Sequence, residues 1–217
     1  MKVLTSIKRA FSGWLLLMLV STPVLADEAA LYAGDAPAGS AFVRLFNALA
    51  ATVEDVDLGG KDAGDAEPMG STEYVYLPPG NHALNSSAGH LNATLEADQY
   101  YTVVVVPGQP LTLIKDQPLG SQRKALLSFY NLLDQNELSL KTTDGSTTVF
   151  SATAFLQSAN VEVNAIKVSL TAYLNDARLL DAEPVSLQRG RAFSLFAVGT
   201  ADQPRLVWVE NKVNADL

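Results

Sequence analysis

Beyond residue 40 the chain is a succession of short apolar runs separated by polar breaks: AFVRLF, TEYVYL, YYTVVVVP, LTLIK, ALLSFYN, LSLKT, TTVFSA, IKVSLTAYL, AFSLFAVG and RLVWVE. The runs are five to nine residues long, dense in Val, Tyr, Phe and Thr. Pro, Gly, Asn or Asp closes most of them, which is the pattern of strands and turns. A sustained 3.6-residue period is missing, and only Ala152 to Ser158 reads as a mild helix candidate. Many short strands at regular spacing predict an all-β chain.

The runs also repeat in order. AFVRLFNALA at 41–50 returns as ALLSFYNLLD at 125–134, and LEADQYYTVVVVPG from Leu95 returns as LQRGRAFSLFAVGT from Leu187. QPLTLIKD then returns as QPRLVWVE. The offset changes from 84 to 92 residues between the first two echoes, as loops of different length in the second copy would require. Two related antiparallel β-sandwich domains in tandem are therefore predicted, 31–117 and 124–213. They are joined through the polar Pro/Gly stretch DQPLGSQRK.

Ahead of them, MKVLTSIKRAFSGWLLLMLVSTPVLA has bases at 2, 8 and 9, an apolar run from Trp14 to Val20 and a small-residue site at Ala26. That is the layout of a cleaved secretory signal peptide, 1–26. Its apolar run falls short of the roughly 20 residues a membrane span needs. Export changes the charge picture. The chain carries 15 basic and 23 acidic residues, and a leader holding three of the bases and none of the acids leaves 12 against 23, a mature charge of −11. Nucleic acid is excluded as a partner, because it is bound through clustered Lys and Arg. A polyanionic polymer would likewise be repelled away from any local basic patch. With no Cys in the chain, disulfides, thiolate metal sites, a Cys nucleophile and a lipidated Cys anchor are excluded.

Candidate chemistry is sparse. No G-x-S-x-G elbow occurs, since MGSTEY around Ser71 lacks the second Gly. The two histidines, His82 and His90, are eight apart in a stretch rich in Gly, Asn and Ser, and neither a triad nor a His-x-x-x-His metal pair is indicated. Asp55, Asp57, Asp62 and Asp65 are an acidic cluster without the spacing of a calcium hand, so a solvated acidic loop is expected. Paired carboxylates facing each other across a cleft stay open as a glycosidase or lyase reading. Phosphate loops and dinucleotide fingerprints are absent, so no cofactor is expected, and no catalytic or metal residues are assigned.

Binding candidates are the aromatics and one base. Tyr74 and Tyr76 alternate in TEYVYL and share one strand face, which either packs in the core or stacks on a sugar ring. Tyr100 and Tyr101 point to opposite faces, so one of them is expected outside. Arg44 alternates with Val43 and Leu45 and is expected on the outer face, open to a ligand or to an acidic neighbour. The binding set is thus Arg44, Tyr74, Tyr76 and Tyr100.

ALYAGDAPAGSAFVRLFNA, PMGSTEYVYLPPGNHAL and ADQYYTVV, followed by LSLKTTDGSTTV, VNAIKVSLTAY, QRGRAFSLFAVG and LVWV, resemble the AlgF family of alginate biosynthesis proteins. The similarity runs from Asp27 to about Lys212 and rests on the ordered set of strings; the stretch from Val53 to Glu67 does not match. The resemblance implies a protein of the Gram-negative periplasm required for O-acetylation of the exopolysaccharide alginate. Its partners would be a membrane-bound O-acyltransferase and periplasmic alginate acetyltransferases that carry the chemistry. On that reading the chain is a noncatalytic adaptor coupling membrane acetyl supply to those enzymes. The alternatives are a carbohydrate-binding module for alginate or a related polysaccharide, and a direct acetyltransferase.

Overall fold

The computed structural model describes residues 36–134, 137–200 and 202–214. The signal peptide expected over 1–26 lies outside the described residues. Eight strands build the first module: β1 (Ala41–Asn47), β2 (Asp57–Leu58), β3 (Lys61–Asp62), β4 (Val75–Leu77), β5 (Gly80–Ser86), β6 (Gly89–Leu95), β7 (Tyr100–Val105) and β8 (Thr112–Asp116). Ten build the second: β9 (Ala125–Asn131), β10 (Glu137–Thr142), β11 (Thr148–Ala154), β12 (Gln157–Val163), β13 (Lys167–Val168), β14 (Leu170–Leu174), β15 (Ala177–Asp181), β16 (Val185–Ser186), β17 (Ala192–Thr200) and β18 (Gln203–Glu210). Among the described residues no helix is long and apolar enough to cross a membrane.

Each module is a sandwich of two four-stranded sheets. In the first the orders are β4-β1-β7-β8 and β3-β2-β5-β6; in the second they are β12-β9-β17-β18 and β11-β10-β14-β15. The connectivity is the same strand for strand, with one addition in the second copy, the two-stranded ribbon β13–β16. Pairing is antiparallel except at the centre of each inner sheet, where β1 runs parallel to β7 and β9 parallel to β17. A parallel pair needs a long crossover, and in both modules the chain supplies it by building the second sheet before returning.

Alternation sends Ala41, Val43 and Leu45 of β1 inward, where they meet Tyr101, Val103 and Val105 of β7 and Leu58, Leu84 and Leu95 of the facing sheet. Leu127, Phe129, Leu195 and Ala197 do the same in the second module against Leu138, Leu140, Phe150 and Ala172. Yet all of β1, β7 and β9 are buried on both faces. The reason is that the two inner sheets pack their outward faces on each other: Phe46, Val104 and Ile114 of one module cluster with Tyr130, Phe196 and Val198 of the other. Phe46 stacks on Phe196 with centroids 3.6 Å apart, and Tyr130 stacks on Phe196 at 4.4 Å. Four layers result, and a strand covered on both faces reads as a nearly continuous apolar run, as these three do apart from Arg44, Thr102 and Ser128 and the terminal Asn of β1 and β9.

Both echoed runs end in Asn for a structural reason. Asn47 Nδ2 donates to the carbonyls of Ala51 (2.8 Å), Ala66 (3.0 Å) and Glu67 (3.1 Å), while its Oδ1 accepts from Leu49 N (2.8 Å). Asn131 Nδ2 donates to Thr153 O (2.9 Å) and its Oδ1 accepts from Leu133 N (3.2 Å). Each amide ties the end of its strand to the loop that follows, satisfying backbone groups that burial would otherwise strand.

The segment 152–158, a helix candidate by sequence, is instead the end of β11, a two-residue corner at Phe155 and Leu156, and the start of β12. Its apolar residues do not trace one face of a helix. Phe155 and Leu156 pack against the inter-module cluster, and Leu156 turns the chain from one sheet to the other with φ 59°. In the acidic stretch, Gly59 and Gly60 at φ 68° and 87° form the two-residue turn between β2 and β3, a type I′ geometry that glycine permits.

Candidate functional site

Arg44, Tyr74 and Tyr100 all converge on the seam between the modules. Arg44 leaves β1 on the face opposite its own core, as alternation requires, but the second module covers that face and leaves the residue 1% exposed. Its Nε donates to Thr102 Oγ1 (3.0 Å), Nη1 to Asn211 Oδ1 (2.9 Å) and Nη2 to Ser194 Oγ (2.9 Å). The guanidinium carbon lies 4.6 Å from the Tyr74 ring centroid and 5.5 Å from that of Phe196, so two aromatic faces complete its surroundings.

Asp116 closes the network from the edge strand β8. Its carboxyl oxygens accept from Tyr74 OH (2.8 Å), Thr102 Oγ1 (2.7 Å) and Tyr130 OH (2.7 Å). Thr102 therefore links Arg44 to Asp116, and Tyr130 brings the second module into the same network. Burial pushes the Tyr74 phenol well above its usual range; nearby Arg44 opposes the shift and Asp116 adds to it. Burial raises Tyr130 as well, with Asp116 reinforcing it. Both phenols stay protonated and serve as donors. No buried side-chain nitrogen or oxygen among the described residues lacks a hydrogen bond, so the network is of the fully satisfied kind that specifies one arrangement.

The remaining aromatics support the same wall. Phe42 stacks on Tyr100 at 4.3 Å, and Tyr74 meets Tyr100 edge-on at 5.3 Å. Tyr100 and Tyr101 are both buried, so neither is outside: the first faces this aromatic cluster and the second lies in the sandwich core. Tyr76 is half-buried beside Tyr74, with Lys61 Nζ 3.6 Å from its ring centroid. The last described segment latches the modules together. Tyr74 N donates to Lys212 O and Asn214 N to Tyr74 O, both at 2.8 Å.

Candidate catalytic groups do not assemble. His82 pairs with Ala93 and His90 with Asn85 across β5 and β6, and the odd separation places the two rings on opposite faces of the sheet. Ser71 Oγ donates to the carbonyls of Leu45 and Thr72. In the acidic stretch Asp57 accepts from Gly60 N and Asp62 from Gly64 N, so two carboxylates cap their own turns, and Asp65 accepts from Asp55 N across the loop. No group of three His, Cys, Asp or Glu placed to hold a metal is found among the described residues. A shallow cleft of about 440 Å³ opens at the rim of the seam, lined by Glu73, Gln122, Arg189, Arg191, Asn211 and Lys212 among others.

The family model described as alginate O-acetyl transferase AlgF matches residues 14–194. The chain belongs to the AlgF family. An AlgF from Pseudomonas aeruginosa, an alginate biosynthesis protein, is 37% identical over 191 residues that span 88% of each chain. The solved N-terminal domain of AlgF from P. aeruginosa is 36% identical and covers 38% of this chain and 99% of its own, with a TM-score of 0.34. The solved C-terminal domain is 32% identical and covers 41% of this chain and 99% of its own, with a TM-score of 0.37.

Thr102, Asp116, Tyr130, Ser194 and Asn211 join the site in this AlgF chain without having been singled out from sequence. A signal for some of them exists. When the two copies are superposed, Arg44 falls on Ser128 and Thr102 on Ser194, and the pairs sit side by side in β1/β7 and β9/β17. A polar residue at the same slot of four otherwise apolar strands marks the row that crosses the seam. Asp116 and Asn211 carry no such mark, because the first ends the edge strand β8 and the second follows the edge strand β18.

Proposed function

We propose that this protein is a noncatalytic periplasmic adaptor required for O-acetylation of alginate. It holds periplasmic alginate acetyltransferases near a membrane-bound O-acyltransferase that supplies acetyl groups. The observation that carries the role in alginate acetylation is the AlgF family match over most of the chain. The noncatalytic part is supported by how the candidate groups are engaged: the histidines are divided between two sheet faces, and Ser71 is bonded to backbone. Arg44, Tyr74 and Tyr100 act by fixing the modules to each other and offer no surface to a sugar. Modules extending over 31–117 and 124–213, behind a leader removed at residue 26, are part of this reading.

The test is the acetyl content of alginate secreted by a strain lacking the protein, with and without the chain supplied behind its own leader. Polymer that persists without acetyl ester, and regains it on complementation, is the expected result. Unchanged acetylation in the deletion strain would remove the protein from the acetylation machinery. In parallel, purified protein should release no acetate from acetylated alginate, and turnover abolished by His82→Ala would establish an enzyme instead.

A further inference from the structure

The second module differs from the first at one end. There the ribbon β13–β16, the turn at 188–191, the inter-module turn at 121–124 and the segment 211–213 come together. Gly190 N donates to Lys124 O (2.8 Å), Leu126 N to Arg191 O (3.0 Å) and Asn211 N to Ala192 O (2.9 Å). This brings Arg123, Lys124, Arg189, Arg191 and Lys212 to one rim, all exposed. They are five of the 12 bases that remain after residue 26, in a chain with 23 acids. Three of them line the 440 Å³ cleft, whose one acid is Glu73; Arg191 also reaches Glu210 at 3.4 Å.

We propose that this basic cleft docks an acidic, carboxylate-bearing segment of a partner protein. The inference rests on the adaptor reading and gives it a surface. Arginine forks match carboxylates in geometry as well as charge, and a basic rim on an acidic body orients an approaching acidic partner. Leu187 N donates to Ile166 O (2.9 Å) two residues before Arg189. Ile166, 55% exposed, stands at the same ribbon end of the module, outside the cleft lining, and offers apolar surface near a charged rim, the mixture that protein interfaces use. A long polyuronate fits less well. It would run from the cleft onto acid-rich surface, and no aromatic side chain lines the cleft to stack a sugar ring.

The decisive variant is Arg189→Glu/Lys212→Glu, with Arg178→Glu/Arg205→Glu, two exposed bases of β15 and β18 outside the cleft lining, as the charge-matched control. Unchanged thermal midpoints establish that all three fold. Amide shifts of the isotope-labelled mature chain are followed against decaglutamate and against a uronate decamer. Decaglutamate should give saturable shifts at 121–124, 188–191 and 211–213, with affinity reduced about tenfold or more in the double variant and unchanged in the control. Absence of saturable shifts there, equal binding by the double variant, or a uronate decamer that binds the cleft as well as decaglutamate would overturn the proposal. In cells, the double variant should fail to restore acetylation to a deletion strain that the wild-type chain restores. Full restoration by the variant would overturn the docking site and leave the adaptor reading intact. Acetylation unaffected by the deletion itself would overturn the adaptor reading.

Discussion

The two modules share a skeleton and part company at their meeting faces. Where β1 and β7 set Arg44 beside Thr102, β9 and β17 set Ser128 beside Ser194. The inward apolar rows and the Asn at the end of the first strand recur in both copies because each module needs them for its own fold. The outward row serves a different purpose, since there the copies must complement each other. Two guanidiniums at one dry seam would double the desolvation cost and repel. One guanidinium facing hydroxyls and the Asn211 amide has a hydrogen bond at each of its three nitrogens. Divergence at a single slot thus turns two similar sandwiches into one asymmetric body.

The sharpest way to break that asymmetry is Arg44→Ala, which takes a buried donor from Thr102, Ser194 and Asn211 and removes the buried positive charge from the Asp116 network. A loss of about 3 to 5 kcal/mol in urea unfolding is expected, the cost of removing one member of a buried charged network. Arg44→Met combined with Asp116→Leu should recover more than 1 kcal/mol of the summed single losses, roughly what contacting residues show in double-mutant cycles. Strict additivity would mean that the two residues are not coupled. A shared feature comes next. Asn47→Ala and Asn131→Ala should each lose about 2 to 4 kcal/mol by leaving buried backbone groups unpaired, and a neutral effect at one site would show that the copies differ there too.

Alkaline titration tests the tyrosines of the seam. Burial holds Tyr74 and Tyr130 above the ordinary phenol range, so the folded protein keeps protons that the unfolded chain releases. Their contribution is fully present below about pH 10 and is lost as pH rises from there toward the folded values. With both groups involved, the slope approaches about 2.7 kcal/mol per pH unit, and Tyr130→Phe should roughly halve it. An unchanged slope would place the alkaline sensitivity elsewhere. The smallest effect is expected at Tyr76→Ala, which removes a half-buried ring and its Lys61 contact at a cost of about 1 kcal/mol, with acetylation intact.

Much of this was legible from pattern alone. Short β-rich runs, the duplicated order and the recurrent Asn all read directly as two related sandwiches. Alternation also put Arg44 on the correct face of β1. What covers that face was not legible, because it depends on contacts between residues more than 80 positions apart, such as Arg44 with Ser194 and Asn211. The continuous apolar character of VVVV in β7 and ALLSFY in β9 was the trace of that cover. Tyr74 and Tyr76 show the same limit: parity gave their shared side, and only the packing of the 211–214 segment made Tyr74 a buried strut. The corner at Phe155 and Leu156 was misread because its apolar residues serve the seam instead of a helical face.

The buried seam requires the two modules to form one body in solution. The absence of native cysteine makes this directly measurable. Asn92→Cys on the outer sheet of the first module and Ala152→Cys on that of the second, both exposed, can be spin-labelled and their separation read by pulsed dipolar spectroscopy. A single narrow distance distribution that broadens when Arg44→Ala is added is the predicted result. A broad distribution in the otherwise unaltered protein would contradict it and return the modules to independent domains on a linker.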